Sequence, residues 1–76
     1  MIDIDNVLLD ESKIFKVRKN KIDMKAIQIN NPDGFIVMTK EGCVKGNCGD
    51  YLIINFTGEK YPCDKDIFQK TYEIID

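Results

Sequence analysis

The stretch GDYLIINFTGEKYPCDKDIFQKTY, residues 49–72, constrains this chain more than any other. YLIINFT is a near-continuous apolar run of strand-forming residues, which predicts the central strand of a sheet. TGE predicts a hairpin with Gly58 at the positive-φ position. EKYP returns as a short strand, and Pro62, with no N–H to donate, predicts the end of pairing. Asp64 then reads as an N-cap whose carboxylate accepts from the first free amides of KDIFQKTY. Asp66 in the first turn and Lys70 in the last complement the helix dipole. Ile67 and Phe68 are expected to anchor this helix to the sheet, and TYEII to finish as an edge strand or extended tail.

Upstream, KIDMKAIQI alternates, with Ile22, Met24 and Ala26 on one face and Lys21, Asp23 and Lys25 on the other. That period of two predicts a half-buried strand. NNPDG predicts a turn, FIVMT a second strand, KEG its turn, and CVKGNCGD a short extended piece followed by another turn. The N-terminal MIDIDNVLLDESK is open between a short strand and one helical turn. It reads as an extension, residues 1–14, ahead of a single small β-rich domain at residues 15–76. The expected fold is mainly β with a minor α part. It is a small antiparallel sheet or partly open barrel of four to six strands, with one short C-terminal helix.

A chain of 76 residues has room for one core and buries roughly 60% of the surface its unfolded state exposes. A hydrophobic content of 43% is too high for disorder, and the thin stability margin of so small a domain favours a homo-oligomer. The net charge of −2 hides a segregation. Residues 1–12 carry four acids and no base. Residues 13–25 carry Lys13, Lys16, Arg18, Lys19, Lys21 and Lys25 against Asp23 alone. A basic segment between acidic flanks is either an anion contact or a solvated strand face.

Several function classes are excluded at this level. No stretch approaches the ~20 apolar residues of a membrane span, and the N-terminus lacks the features of a signal peptide, so a cytoplasmic protein is expected. Cys43, Cys48 and Cys63 are then expected as reduced thiols. They lack the paired spacing of structural zinc sites, and with no histidine in the chain no base stands ready to activate them. Asp50, Glu59, Asp64 and Asp66 are read as turn, hairpin and cap residues rather than an acid/base pair. No catalytic residue, metal ligand or cofactor motif is assigned, and the protein reads as a non-enzyme. The acidic balance also argues against duplex DNA. What remains is a cluster of bases with aromatics. Arg18, Lys19 and Lys60, with Tyr51 and Tyr61, are the candidate ligand-binding residues for a small nucleotide-like anion, Arg18 offering a two-oxygen grip on phosphate.

The same C-terminal half resembles a family of small proteins encoded in tailed phages and prophages, whose members end in a pattern close to PGDW(I/V)-x-GxxGExYPCxPDIFxxTYE. The likeness spans Glu41–Glu73, with Gly49, Asp50, Ile53, Gly58, Glu59, Tyr61, Pro62, Cys63, Asp66, Ile67, Phe68, Thr71 and Tyr72 in register. RKNKIDMKAIQ is similar to the family's basic stretch before an EAIQ-like strand. Cys48 stands where the family has proline, and Lys21 and Lys25 make the first strand more basic. The resemblance implies a phage-encoded protein in the host cytoplasm, a setting in which small non-enzymatic proteins of this size often resemble counter-defence factors. The clustered Arg/Lys and tyrosines favour a sponge for a nucleotide-derived immune signal; the alternatives are a direct inhibitor of a host defence nuclease or sensor, or an accessory phage protein.

Overall fold

The computed structural model describes residues 1–75. A two-residue strand β1 (Ile2–Asp3) leads through single 3-10 turns at Ile4–Asn6 and Glu11–Lys13 into β2 (Phe15–Lys19) and β3 (Ile22–Gln28). Then follow β4 (Phe35–Thr39), β5 (Gly42–Gly46), β6 (Tyr51–Ile54), β7 (Lys60–Cys63), helix α1 (Lys65–Thr71) and β8 (Glu73–Ile74). Eight strands form two sheets. One has the order β1-β4-β5 and the other β7-β6-β3-β2-β8. All pairs are antiparallel except β1 with β4. The mainly β architecture with one short C-terminal helix is as the sequence predicts.

The larger sheet is the middle of three layers. Because side chains alternate across a strand, neighbouring residues of β3 and β6 serve different layers. Ile27 and Leu52, directly paired, face the smaller sheet and join Ile4, Ile29, Phe35 and Val37 in one core. Ala26 and Ile53, the adjacent pair, face α1 and join Val17 and Phe68 in a second core. Phe68 lies parallel to Tyr51, with ring centroids 3.8 Å apart, and stacks against Tyr72 at 5.3 Å. Burying such a ring contributes about 1.5–3 kcal/mol. In the first core the Phe35 ring lies flat on Gly46, where an added Cβ would sit 2.1 Å from a ring carbon.

Several expectations change. The central strand is β3, with β6 next to it, because β2 and β8 extend the sheet on the far side. The β3 strand is not evenly half-buried: Ile22 at its start is 48% exposed, while Ala26 and Ile27 are both covered, one by each outer layer. Lys21 is not on the strand face. With Asn20 it forms the two-residue β2–β3 turn, both at positive φ (53° and 64°), as a twisted hairpin requires. Pro62 does not end pairing, which continues to Cys63, because β7 is an edge strand and a missing N–H is tolerated there. Phe68 alone anchors α1, and Ile67 is exposed. Residues 1–14 are not an appendage: β1 pairs with β4 and Ile4 is 3% exposed in the core.

The junction between layers is made by Asp50, a carboxylate only 7% exposed. Its two oxygens accept from the Asn47 amide (3.0 Å) and the Lys65 amide (3.1 Å), while its carbonyl accepts from Ile29 N–H (2.9 Å). Asp64 Oδ1 accepts from Asp66 and Ile67 amides at 2.8 and 3.2 Å. Together the two acids satisfy the amides that open α1, which otherwise have no intrahelical partner. Asp64→Ala is expected to cost about 1 kcal/mol, as an ordinary cap does. Asp50→Ala should cost about 3 kcal/mol, because charged hydrogen bonds are lost and two amides are stranded in a half-buried turn. Urea denaturation of the two variants checks that order.

Candidate functional site: a lysine row across the larger sheet

The two-residue turn at Asn20–Lys21 sets the register of the β2–β3 hairpin, and with it the distribution of charge. Lys16 pairs directly with Lys25. Lys25 pairs in turn with Ile54, and Ile54 with Lys60. Alternation places all four on the face that, one pair further along, carries Ile27 and Leu52 against the smaller sheet. Three lysines thus lie in one row across four strands, with an isoleucine between the second and third. Like charges directly opposite one another destabilise a sheet. No carboxylate among the described residues forms an ion pair with any of the three.

Open depressions lie on both sides of the Lys16–Lys25 pair. Glu11, Ile14 and Phe15 line one; Asp23, Ile54 and Phe56 line the other. Phe56, at the tip of the β6–β7 hairpin, is 78% exposed and covers nothing of its own chain. Its loop is held rigidly by Asn55, whose Oδ1 accepts from the amides of Thr57 and Glu59, both at 3.0 Å, and from Thr57 Oγ1 at 2.6 Å. Lys60 lines a third depression, beside an ion pair between Lys40 Nζ and Glu59 Oε1 at 3.3 Å.

The sequence-derived candidates divide between the two faces. Arg18 and Lys60 share the face of the lysine row. Arg18 Nε donates to Asp23 Oδ1 at 2.8 Å, and that guanidinium holds the Asp23 carboxyl below the usual carboxylate range. Lys19, Tyr51 and Tyr61 lie on the opposite face, beside α1. Lys19 Nζ sits 5.6 Å from the Tyr72 ring centroid, within cation–π reach. Tyr51 is committed to its stack on Phe68, and the Tyr61 hydroxyl is 3.1 Å from that of Tyr72. Arg18 and Lys19, as strand neighbours, point away from each other, so the five residues do not converge. Lys16, Lys25 and Phe56 were missed as a group. The signal for the two lysines was the turn at Asn20–Lys21, which sets Lys16 opposite Lys25; without a glycine it is easily overlooked.

The acids and thiols singled out in the sequence are mostly held in structural contacts. Asp50 and Asp64 are occupied by backbone amides, and Glu59 accepts from Thr57 Oγ1 and pairs with Lys40. Burial pushes the Cys63 thiol up, away from thiolate. Cys43 and Cys48 are free and exposed, and no group of three metal-ligating side chains occurs among the described residues. No helix is long and apolar enough to cross a membrane. No family model, no curated protein and no solved structure matches the chain, so the site's chemistry rests on its own residues.

Two outcomes are expected. Lys25→Glu turns a repulsive cross-strand pair into an attractive one, raising stability by about 0.5 kcal/mol at low ionic strength, a gain that shrinks with added salt. Thermal melts at two salt concentrations measure it. On the other face, burial and then the Tyr61 hydroxyl raise the Tyr72 phenol above its ordinary value of 10.0. The neutral phenol is therefore favoured in the folded state. Its stabilisation is complete below the unfolded pKa of about 10 and is lost as pH rises beyond it. Tyr72→Phe should remove that part of the decline in urea midpoint above about pH 10.

Proposed function

We propose that this protein is a non-enzymatic binding protein that sequesters a nucleotide-derived anion, acting as a phage-encoded counter-defence sponge in the bacterial cytoplasm. The observation that carries the reading is the direct pairing of Lys16 with Lys25, without a carboxylate partner among the described residues, beside the exposed ring of Phe56. A domain with so thin a margin keeps two ammonium groups side by side at a cost, and a bound phosphate offsets that cost. An aromatic face next to a phosphate contact suits a base, which stacks without regard to its hydrogen-bonding edges. The engagement of Asp50, Glu59 and Asp64 in structural bonds supports binding without conversion. The residue pattern of Glu41–Glu73 supports the phage setting, and the free edge of β5 supports self-association.

Isothermal calorimetry against nucleoside monophosphates, cyclic dinucleotides, larger cyclic oligonucleotides and ADP-ribose is the test. At least one should bind and be recovered chemically unchanged. Lys25→Glu should weaken that binding more than tenfold while leaving the protein folded. Arg18→Ala should weaken it less, since its guanidinium is shared with Asp23, and Lys19→Ala, on the other face, should leave it unaltered. Light scattering at tens of micromolar should give a mass above the 8.8 kDa of one chain. A silent panel together with capture of a single host defence protein would replace this reading by direct inhibition, and a chemically altered ligand would make the protein an enzyme.

A further inference from the structure

Lys60 lies in the same cross-strand row as Lys16 and Lys25 but is separated from them by Ile54. Strands in a sheet are spaced about 4.8 Å apart, so Lys25 and Lys60 are rooted roughly 10 Å from each other and Lys16 and Lys60 roughly 14 Å. One phosphate can lie between the ammonium groups of Lys16 and Lys25, whose Cβ atoms are about 5 Å apart. The same phosphate is too far from Lys60 for a direct contact. Glu59, the nearest acid along the chain, is drawn to Lys40 Nζ at 3.3 Å, and no ion pair to Lys60 occurs among the described residues. Between the two cationic positions the row presents a half-buried aliphatic side chain, Ile54, with Phe56 two residues further on.

Cation pair, apolar platform, single cation: on this pattern we propose that the ligand carries two phosphates separated by a nucleoside whose base lies over Ile54 against Phe56, with the lysine side chains leaning inward to reach both. This rests on the nucleotide-binding reading above and adds the ligand class. The site prefers a compact oligonucleotide with phosphates on both sides of a base. A mononucleotide has only one phosphate, and in a pyrophosphate-linked compound such as ADP-ribose the two phosphates are adjacent and cannot span the row. Charge complementarity selects the occupant: one phosphate meets the Lys16–Lys25 pair and the other the single ammonium of Lys60, none of the three in an ion pair among the described residues, and the base meets Ile54 between them.

The test compares affinities for AMP and GMP, for ADP-ribose, for the cyclic dinucleotides of adenine and guanine, and for a ten-residue single-stranded deoxyadenylate. The better cyclic dinucleotide should bind at least tenfold more tightly than AMP, GMP or ADP-ribose. Lys60→Gln should abolish that advantage while leaving mononucleotide affinity within twofold, and Lys60→Arg should restore it; thermal melts confirm that both variants fold. If mononucleotides bind through Lys25 but Lys60→Gln leaves the ratio intact, or if ADP-ribose equals the dinucleotides, the two-phosphate assignment is overturned while nucleotide binding stands. Tightest binding to the ten-residue strand would overturn it in favour of a single-stranded nucleic acid. No binding of any probe would overturn both readings together.

Discussion

The carboxylate of Asp50 is the contact on which the three layers depend. One oxygen holds the turn that leaves β5 of the smaller sheet, and the other holds the first amide of α1. The residue's own carbonyl secures the end of β3 at Ile29. A single buried acid thus connects smaller sheet, larger sheet and helix at the corner where their chains meet. Hydrogen bonds to a charged acceptor are about twice as strong as neutral ones, and this one is sheltered from competing water. With each outer layer resting on few side chains, Phe35 and Val37 on one side and Phe68 on the other, fixing their relative position through backbone amides leaves little to packing alone.

The β2–β3 hairpin stands in contrast. It contains the least favourable local choices in the molecule: a lysine at positive φ in its turn and two lysines opposed across its strands. Each works against the hairpin in isolation. It persists because Val17 and Ala26 are clamped by α1 on one face and Ile27 by the smaller sheet on the other. Strain and like-charge crowding of this kind persist only where the surrounding packing overrules them. Glu11 and Asp23 border the lysine pair, but Asp23 is engaged by Arg18, and no ion pair to Lys16 or Lys25 forms among the described residues.

Much of the local structure was legible because its signals are short-range. Asp64 before a helix and Gly58 in a hairpin each act on amides or dihedrals within a few residues, and both sit where the sequence places them. The errors concern relations between distant segments. YLIINFT looks central since it is apolar throughout, yet that composition reflects burial between two layers rather than position in the order of strands. The N-terminal residues looked peripheral because their apolar positions fit neither a strand nor a helix period, but Ile4 is buried in the core. Pro62 looked like a stop because only the strand order reveals that β7 is an edge. The candidate site suffered most. Arg18 and Lys19 are adjacent in sequence, and adjacency in a strand means opposite faces, whereas Lys16, Lys25 and Lys60 are scattered in sequence and aligned by register.

Helix α1 leaves the sheet at β7, one edge, and returns to it at β8, the other. The final described segment therefore crosses the full width of the sheet, fastened at the far side by two residue pairs with β2 and by the Ile75 amide donating to the Lys16 carbonyl at 3.0 Å. A pull that draws this segment away from β2 loads those few contacts first. Once they part, the pull reaches Tyr72 and then Phe68, levering the helix off Val17, Ala26 and Ile53 as one piece. The second core is thus closed at this edge by a two-residue strand, and the loss of that strand would lay it open.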